Sequence, residues 1–229
     1  MKILYVIPAR GGSKGIPHKN IKLLNGKPLI YYSIDVARQL TTDDHICVST
    51  DDDEIINVVE RYGLKVPFKR PDYLATDTAT TNDVLIHAIN FYEETGDFYD
   101  VIVLLQPTSP LRNANHVKEA LNQYNDKFDM VASVKVSKSA SVLCIENKDG
   151  NIVSCFNQAG SRRQTLSSYY EYNGAVYVIN IEQLKKKGMY CFNHNKKYLM
   201  DEIYSVDIDT PFDWIIVETI LKNKQIINN

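Results

Sequence analysis

The 229-residue chain is poor in cysteine, with four in all, and has a single tryptophan. The cysteines stand at 47, 144, 155 and 191, form no Cys-x-x-Cys pair and have no histidine at zinc spacing, which argues against a zinc site. Cys47 lies in the apolar run Ile46-Cys47-Val48 and reads as core, and all four read as inert. Neither sign of charge dominates. Lys plus Arg number 26 against 28 for Asp plus Glu, a formal net charge of -2, and a general nucleic-acid binder would need a basic excess or stripe. Long apolar runs are missing too: Val101–Leu105 is far below the roughly 18 residues of a membrane span. Ile3–Ala9 does not make a signal peptide, because Arg10-Gly-Gly-Ser-Lys14 follows where the apolar region should continue. There are no repeats and no low-complexity tracts. What is present, 44% hydrophobic and 24% charged residues, suits a soluble globular protein. The expectation is a cytoplasmic protein whose partners are neither nucleic acid nor membrane. A chain of this size buries roughly 70% of its unfolded surface, enough for one compact unit with an appended lobe.

Short β-rich runs alternate with helical patterns through the first half. Strands are expected at Lys2–Pro8, His45–Thr50, Val101–Gln106 and Met130–Val136. Helices are expected at Leu29–Leu40, Asp53–Tyr62, Asn82–Thr95 and Asn115–Tyr124, where apolar residues recur at helical spacing. Val101–Gln106 is apolar enough for a central strand covered on both faces. Such alternation specifies right-handed crossovers and an α/β fold with a doubly wound, mostly parallel sheet. The pattern breaks at Ser137–Ser168, a polar stretch with a hairpin around Asn147-Lys148-Asp149-Gly150, read as an inserted lobe. It resumes with a strand at Tyr172–Ile179, a helix near Glu182–Lys187, a strand at Ile203–Ile208 and a helix from Phe212 to Lys222.

Open parallel sheets bind ligands at the carboxyl ends of their strands, and four expected strands end in chemically loaded residues. The first leads into Ala9-Arg10-Gly11-Gly12-Ser13-Lys14-Gly15, the second into Asp51, the central one into Gln106, and the late one carries Asp207 and Asp209. In the first loop, glycines let backbone N–H groups line a polyphosphate, while Arg10, Lys14 and Lys19 add positive charge and Pro17 adds stiffness. Neither a Walker A pattern nor Gly-x-Gly-x-x-Gly is present, which disfavours P-loop hydrolysis and dinucleotide binding. Asp207 and Asp209, alternating on a strand, would project from one face with Cα atoms roughly 7 Å apart, a spacing that suits Mg²⁺ held against phosphates. Thr210 fits the cap of the next helix, leaving both aspartates free. Asp51, Asp52 and Asp53 are adequately explained by capping and dipole compensation. His87 reads as a packed helix residue, and His18 faces no obvious partner. Tyr169, Tyr170, Tyr172 and Tyr177 suit either a ligand wall or an interface.

Ile7–Asn20, IPARGGSKGIPHKN, closely resembles the signature of the acylneuraminate cytidylyltransferases, which make CMP-activated sialic acids. Arg70–Thr81 (RPDYLATDTATT), Leu104–Arg112 (LLQPTSPLR), Tyr172–Val178 (YNGAVYV) and Asp207–Trp214 (DIDTPFDW) resemble its later motifs, in order, so the likeness covers the whole chain. Transferases that activate the eight-carbon acid of lipopolysaccharide share the nucleotide-binding layout but not the GGSKGIP-x-KN wording. The resemblance implies a single nucleotidyltransferase domain over residues 1–229 that uses Mg²⁺ to join CTP and a nonulosonic acid into a CMP-sugar, releasing pyrophosphate. It implies that Arg10, Ser13, Lys14 and Lys19 hold the triphosphate, with Ala9, Gly11, Gly12 and Asn20 at the nucleotide and Arg70 and Thr81 on cytidine. It places Gln106, Tyr172 and Asn173 at the sugar and makes Asp207 and Asp209 the metal ligands. It also makes the 137–168 lobe a homodimer contact that lends Arg162 and Arg163 to the neighbouring subunit's sugar carboxylate, which suits a guanidinium fork.

That chemistry is coherent. The sugar's anomeric hydroxyl must attack the α-phosphorus in line, and cations must screen a triphosphate from a carboxylate sugar. Arg10, Lys19, Asp209 and Arg163 are the expected catalytic set, with Asp209, or a water on its metal, as the proton acceptor. Glu171 stands where some members carry Arg, which leaves legionaminate, pseudaminate or a deaminated analogue beside N-acetylneuraminate. Ala79 replaces a hydroxyl residue of some relatives. Two alternatives are set against this reading. A nucleotidyltransferase for another sugar or sugar phosphate would have little use for Arg162 and Arg163. A non-catalytic nucleotide-binding module would be expected to lack some of Arg10, Lys19, Asp207 and Asp209, and all four are present.

Overall fold

The computed structural model describes residues 1–139, 142–155 and 169–223. Strand β1 (Ile3–Pro8) is followed by the Gly-rich loop and a small ribbon, β2 (Leu23–Leu24) and β3 (Lys27–Pro28), that feeds helix α1 (Leu29–Arg38). Next come β4 (Ile46–Ser49), α2 (Asp53–Arg61), α3 (Thr81–Glu94), β5 (Val101–Leu104), α4 (Ala114–Asn122) and β6 (Met130–Val136). The chain continues through the hairpin β7 (Cys144–Glu146) and β8 (Ile152–Ser154) into β9 (Tyr170–Asn180), α5 (Ile181–Lys187), β10 (Asn195–Leu199) and α6 (Pro211–Lys222).

Six strands form the main sheet in the order β10-β6-β9-β5-β1-β4, and only β9 runs against its neighbours. Alternation along β1 and β5 divides the core. Tyr5, Ile7, Val101 and Val103 face the side covered by α1, α2 and α4, while Leu4, Val6, Ile102 and Leu104 face α3 and α5. Both faces of β5 are therefore dry, as its composition requires. The helices start where the sequence supplies caps. Asp52 caps α2, Thr80 with Asp83 forms a capping box on α3, and Thr210 with Asp213 does the same for α6, with Pro211 in its first turn.

One expected strand is absent. Residues Ile203–Ile208 form a short 3-10 turn over Glu202–Tyr204 and then irregular chain, and the edge strand lies upstream, at β10. Ile208 is buried in a third apolar cluster with Ile16, Leu24, Leu29, Leu111, Trp214 and Val217. The apolar residues read as a strand face are thus satisfied by side-chain packing under α6. The Asn147–Gly150 hairpin forms as expected, with β7 and β8 paired antiparallel.

Candidate active site

The Gly-rich loop leaves β1 at the carboxyl edge of the sheet and is fixed at both ends. Ala9 N–H donates to Ser49 O at 2.9 Å, and Asn20 Nδ2 donates to Arg10 O at 3.0 Å. Ile16 anchors its middle by packing with Ile208 and Trp214. Two glycines are required by contact. A Cβ on Gly11 would lie 2.2 Å from Asp52 Oδ2, and one on Gly15 would lie 2.2 Å from the Asp209 carbonyl oxygen. Gly12 has open space around it.

Lys19 ties this loop to the segment before α6. Its ammonium donates to Ile208 O at 2.7 Å and lies 3.3 Å from Asp209 Oδ1. Arg10 and Lys14 converge on one carboxylate, Asp77, at 3.0 and 2.6 Å. Ser13 lines the same cleft. Arg70 is buried and pairs at 3.0 Å with Asp51, whose same oxygen accepts the Gly11 N–H at 3.3 Å. Asp51 is thus a brace between Arg70 and the loop, and only Asp52 of the three aspartates caps the helix. Arg70 Nε is buried without a partner. His18 adopts a left-handed φ of 51° and lies 3.4 Å from Glu54, a partner that the sequence did not reveal.

Asp207 and Asp209 do not alternate on a strand, because their segment is irregular. They occupy different environments instead. Asp209 is exposed beside Lys19, whereas Asp207 is half-buried and its Oδ1 has no hydrogen-bond partner. Burial raises the Asp207 carboxyl pKa, helped by the charge of Asp209 and opposed by the Thr108 hydroxyl and Lys19. A buried, unpartnered carboxylate oxygen with a second carboxylate two residues away is a hard-oxygen donor pair suited to Mg²⁺, which takes one or two protein carboxylates and fills the rest with phosphate oxygen and water. No group of three or more acidic, His or Cys side chains gathers among the described residues.

Two clefts meet here. One, of about 270 Å³, is polar and lined by Arg10, Ser13, Lys14, Lys19, Asn20 and Asp209. The other, of about 390 Å³, is walled by Thr81, Leu104, Tyr172, Tyr177, Met189 and Phe192. Gln106 lines both. Tyr172 is exposed, while burial, with Asp207 nearby, pushes the Tyr177 hydroxyl up to about 12, so it stays protonated. Glu171 points elsewhere, bonding the Ser137 hydroxyl at 2.5 Å and lying 3.4 Å from Lys135.

Asn173 departs from its expected place against the sugar. Its side chain is buried and fully engaged, accepting from Ser133 Oγ at 2.5 Å and Ala175 N–H at 3.2 Å and donating to Ser205 Oγ at 2.9 Å. It holds an irregularity in β9, where pairing with β6 jumps from Tyr172 to Tyr177. Gly174 sits in that irregularity at φ 72°, and a Cβ there would lie 2.9 Å from Gln106 Oε1. Arg112 was also missed as a site residue, although it ends a quoted motif. Nothing in spacing alone shows that this cation turns inward. It is 3% exposed, and burial lowers its pKa to about 9 while Asp207 opposes the shift. Arg162 and Arg163 lie outside the described residues.

A family model described as Cytidylyltransferase matches residues 4–226. The CMP-N,N'-diacetyllegionaminic acid synthase of Legionella pneumophila is 35% identical over 233 residues, covering 98% of each chain. A pseudaminic acid cytidylyltransferase of Campylobacter jejuni is 35% identical and covers 93% of each. An N-acylneuraminate cytidylyltransferase of Streptococcus agalactiae is 36% identical over 95% of this chain, which spans about half (52%) of that relative. Among solved structures, a CMP:2-keto-3-deoxy-manno-octonic acid synthetase complexed with CTP has the same fold, with TM-score 0.72 at 18% identity over 98% of this chain and 100% of that one.

Proposed function

This chain belongs to the cytidylyltransferase family, and we propose that it couples CTP to a nonulosonic acid, giving a CMP-sugar and pyrophosphate. The observation that carries the reading is the pair of clefts joined at Gln106, one cationic and one apolar-walled. A triphosphate suits the first, where Arg10, Ser13, Lys14 and Lys19 stand. Asn20 and Arg70 are assigned to the nucleotide, whereas Thr81, expected on cytidine, stands on the wall of the second cleft. The second suits the sugar, with Gln106 at the junction and Tyr172 on its wall.

In the reaction, the anomeric oxygen bonds the α-phosphorus as the bond to the departing pyrophosphate breaks, and the hydroxyl proton passes to a base. Arg10, Lys14 and Lys19 supply fixed positive charge where the leaving group gains negative charge. Asp209, exposed at the polar cleft, is assigned as the proton acceptor. Asp207 and Asp209 would hold Mg²⁺, which when bound supplies further charge neutralisation at the phosphates. Tyr177, protonated throughout the ordinary pH range, offers a donor rather than a base.

The acceptor is drawn from the acids named by the relatives: legionaminic, pseudaminic or N-acylneuraminic. Cation supply for its carboxylate is assigned to Arg162 and Arg163 of a second copy. Support for a homodimer comes from the β7–β8 region, where Val142, Leu143, Ile145 and Ile152 are all exposed, an apolar patch of the kind that marks an interface. The test is pyrophosphate release with CTP and Mg²⁺ across a panel of nonulosonic acids and one sugar phosphate. Turnover with one acidic sugar is expected. Turnover with the sugar phosphate alone, or silence from folded protein across the panel, would sink the reading.

A further inference from the structure

We infer that Arg112 is a positioning residue for the transfer reaction, setting the backbone of Gln106 and of the β9 turn at Gly174 from beneath the junction of the two clefts. The inference rests on the assignment of Gln106 to the sugar. Its Nη1 donates to two carbonyls from different elements, Gln106 O at 3.0 Å and Ala175 O at 2.7 Å, while Nη2 bonds the Ser33 hydroxyl. One planar group therefore joins the turn after β5, the irregular part of β9 and helix α1. An ammonium cannot do this, because only a guanidinium holds several donors in a fixed fork.

The bonds lie in a larger buried layer. Ser33 Oγ also reaches Gln106 O at 3.4 Å, and Ser109 Oγ reaches Asn173 O at 3.4 Å. Ser133 then joins Asn173 and the Val176 N–H, and Ser205 joins Asn173 to the chain two residues before Asp207. The turn after β5 that carries Gln106, the irregular part of β9 beside Tyr172 and the chain before Asp207 are all anchored in this layer. Burying a guanidinium with no ionic partner at bonding distance among the described residues is costly, and a hydrophobic residue would fill the space at less expense. The cation makes sense as a clamp, since Gly174 leaves 2.9 Å between a would-be Cβ and Gln106 Oε1 and any slip of either backbone moves that amide.

Steady-state kinetics with each substrate varied, together with CTP titration in the absence of sugar, test this on Arg112→Lys and Arg112→Ala. The sugar KM should rise, and kcat fall, by roughly ten- to a hundredfold overall, the scale of a misplaced reacting group. CTP affinity should stay within about twofold of wild type, and added guanidinium ion should restore part of the Arg112→Ala activity. A parallel loss of CTP affinity, or unchanged sugar kinetics in folded protein, would overturn the inference. If neither variant folds, Ser33→Ala decides, because it removes one bond of the same clamp while Arg112 Nη1 keeps both of its carbonyl partners: a raised sugar KM supports the role, an unchanged one refutes it. Wild-type protein inert with every sugar would overturn the underlying reading and the inference with it, and that arm alone reveals it.

Discussion

The Asp77 carboxylate lies 2.6 Å from the Lys14 ammonium, and its other oxygen meets Arg10 at 3.0 Å. Hydrogen bonds from Lys14, then Arg10, lower the Asp77 pKa, so it remains charged where the triphosphate is proposed to sit. A nucleotide that uses these cations must displace it. Asp77→Asn is therefore expected to tighten CTP binding about three- to tenfold, the scale of two exposed ion pairs, as read by calorimetric titration. Weaker binding would mean that Asp77 orients the cations instead.

Gly15 and Gly12 differ in what a methyl group would meet. At Gly15 it meets a backbone oxygen at 2.2 Å, which cannot swing aside, whereas at Gly12 it meets nothing within 4 Å. Gly15→Ala should cost about 1–3 kcal/mol, seen as a lower Tm and a displaced Asp209 segment with reduced kcat. Gly12→Ala should leave Tm unchanged. Equal Tm values for the two variants would contradict the contact.

Asp209→Ala should lower turnover at least about a hundredfold with the fold intact, because its side chain is exposed. Near-normal turnover would remove both its metal role and its role as base. Mixing inactive Asp209→Ala subunits with inactive Arg163→Ala subunits should restore part of the activity if sites are shared across a dimer. No recovery despite demonstrated subunit exchange counts against sharing.

Most of the sheet was legible because its strands are dry on both faces and its helices carry caps. Val101–Leu104 announces itself by unbroken apolar character, and Met130–Val136 by an apolar run broken only by Ser133 and Lys135. β10 did not, since Asn195-Lys196-Lys197 reads as loop, and such lysines are how an edge strand discourages further pairing. The strand expected at Ile203–Ile208 failed for the converse reason, its apolar residues serving a side cluster rather than a sheet face. In the site, the Gly-rich loop and Gln106 were legible from glycine and charge following an apolar strand. Arg112 and Asn173 were not, because whether a polar side chain turns into or out of the fold depends on tertiary partners such as Ser33, Ser133 and Ser205.

The stability of the fold toward acid rests on a different aspartate. Asp129 is buried, which opposes its ionisation, yet Lys187 at 2.8 Å and the N–H groups of His194 and Asn193 outweigh that and depress its pKa to about 2. A depressed carboxyl pKa stabilises the fold above the unfolded value near 4, and the contribution is lost as pH falls from about 4 through 2. Asp129→Asn should lower stability at pH 7 by about 1.5–3 kcal/mol and flatten its decline between those pH values. An unchanged acid slope in denaturant titrations would refute this.

The reversed direction of β9 has a consequence for how such a protein can diversify. Val136, at the end of β6, pairs with Tyr170, at the start of β9, so the chain departs from and returns to neighbouring points on the ligand-facing rim. Everything between is an excursion whose length the sheet does not register, and closing a longer one costs only about 0.6 kcal/mol per doubling. New surface can therefore be grown beside the reacting groups without rethreading a single strand.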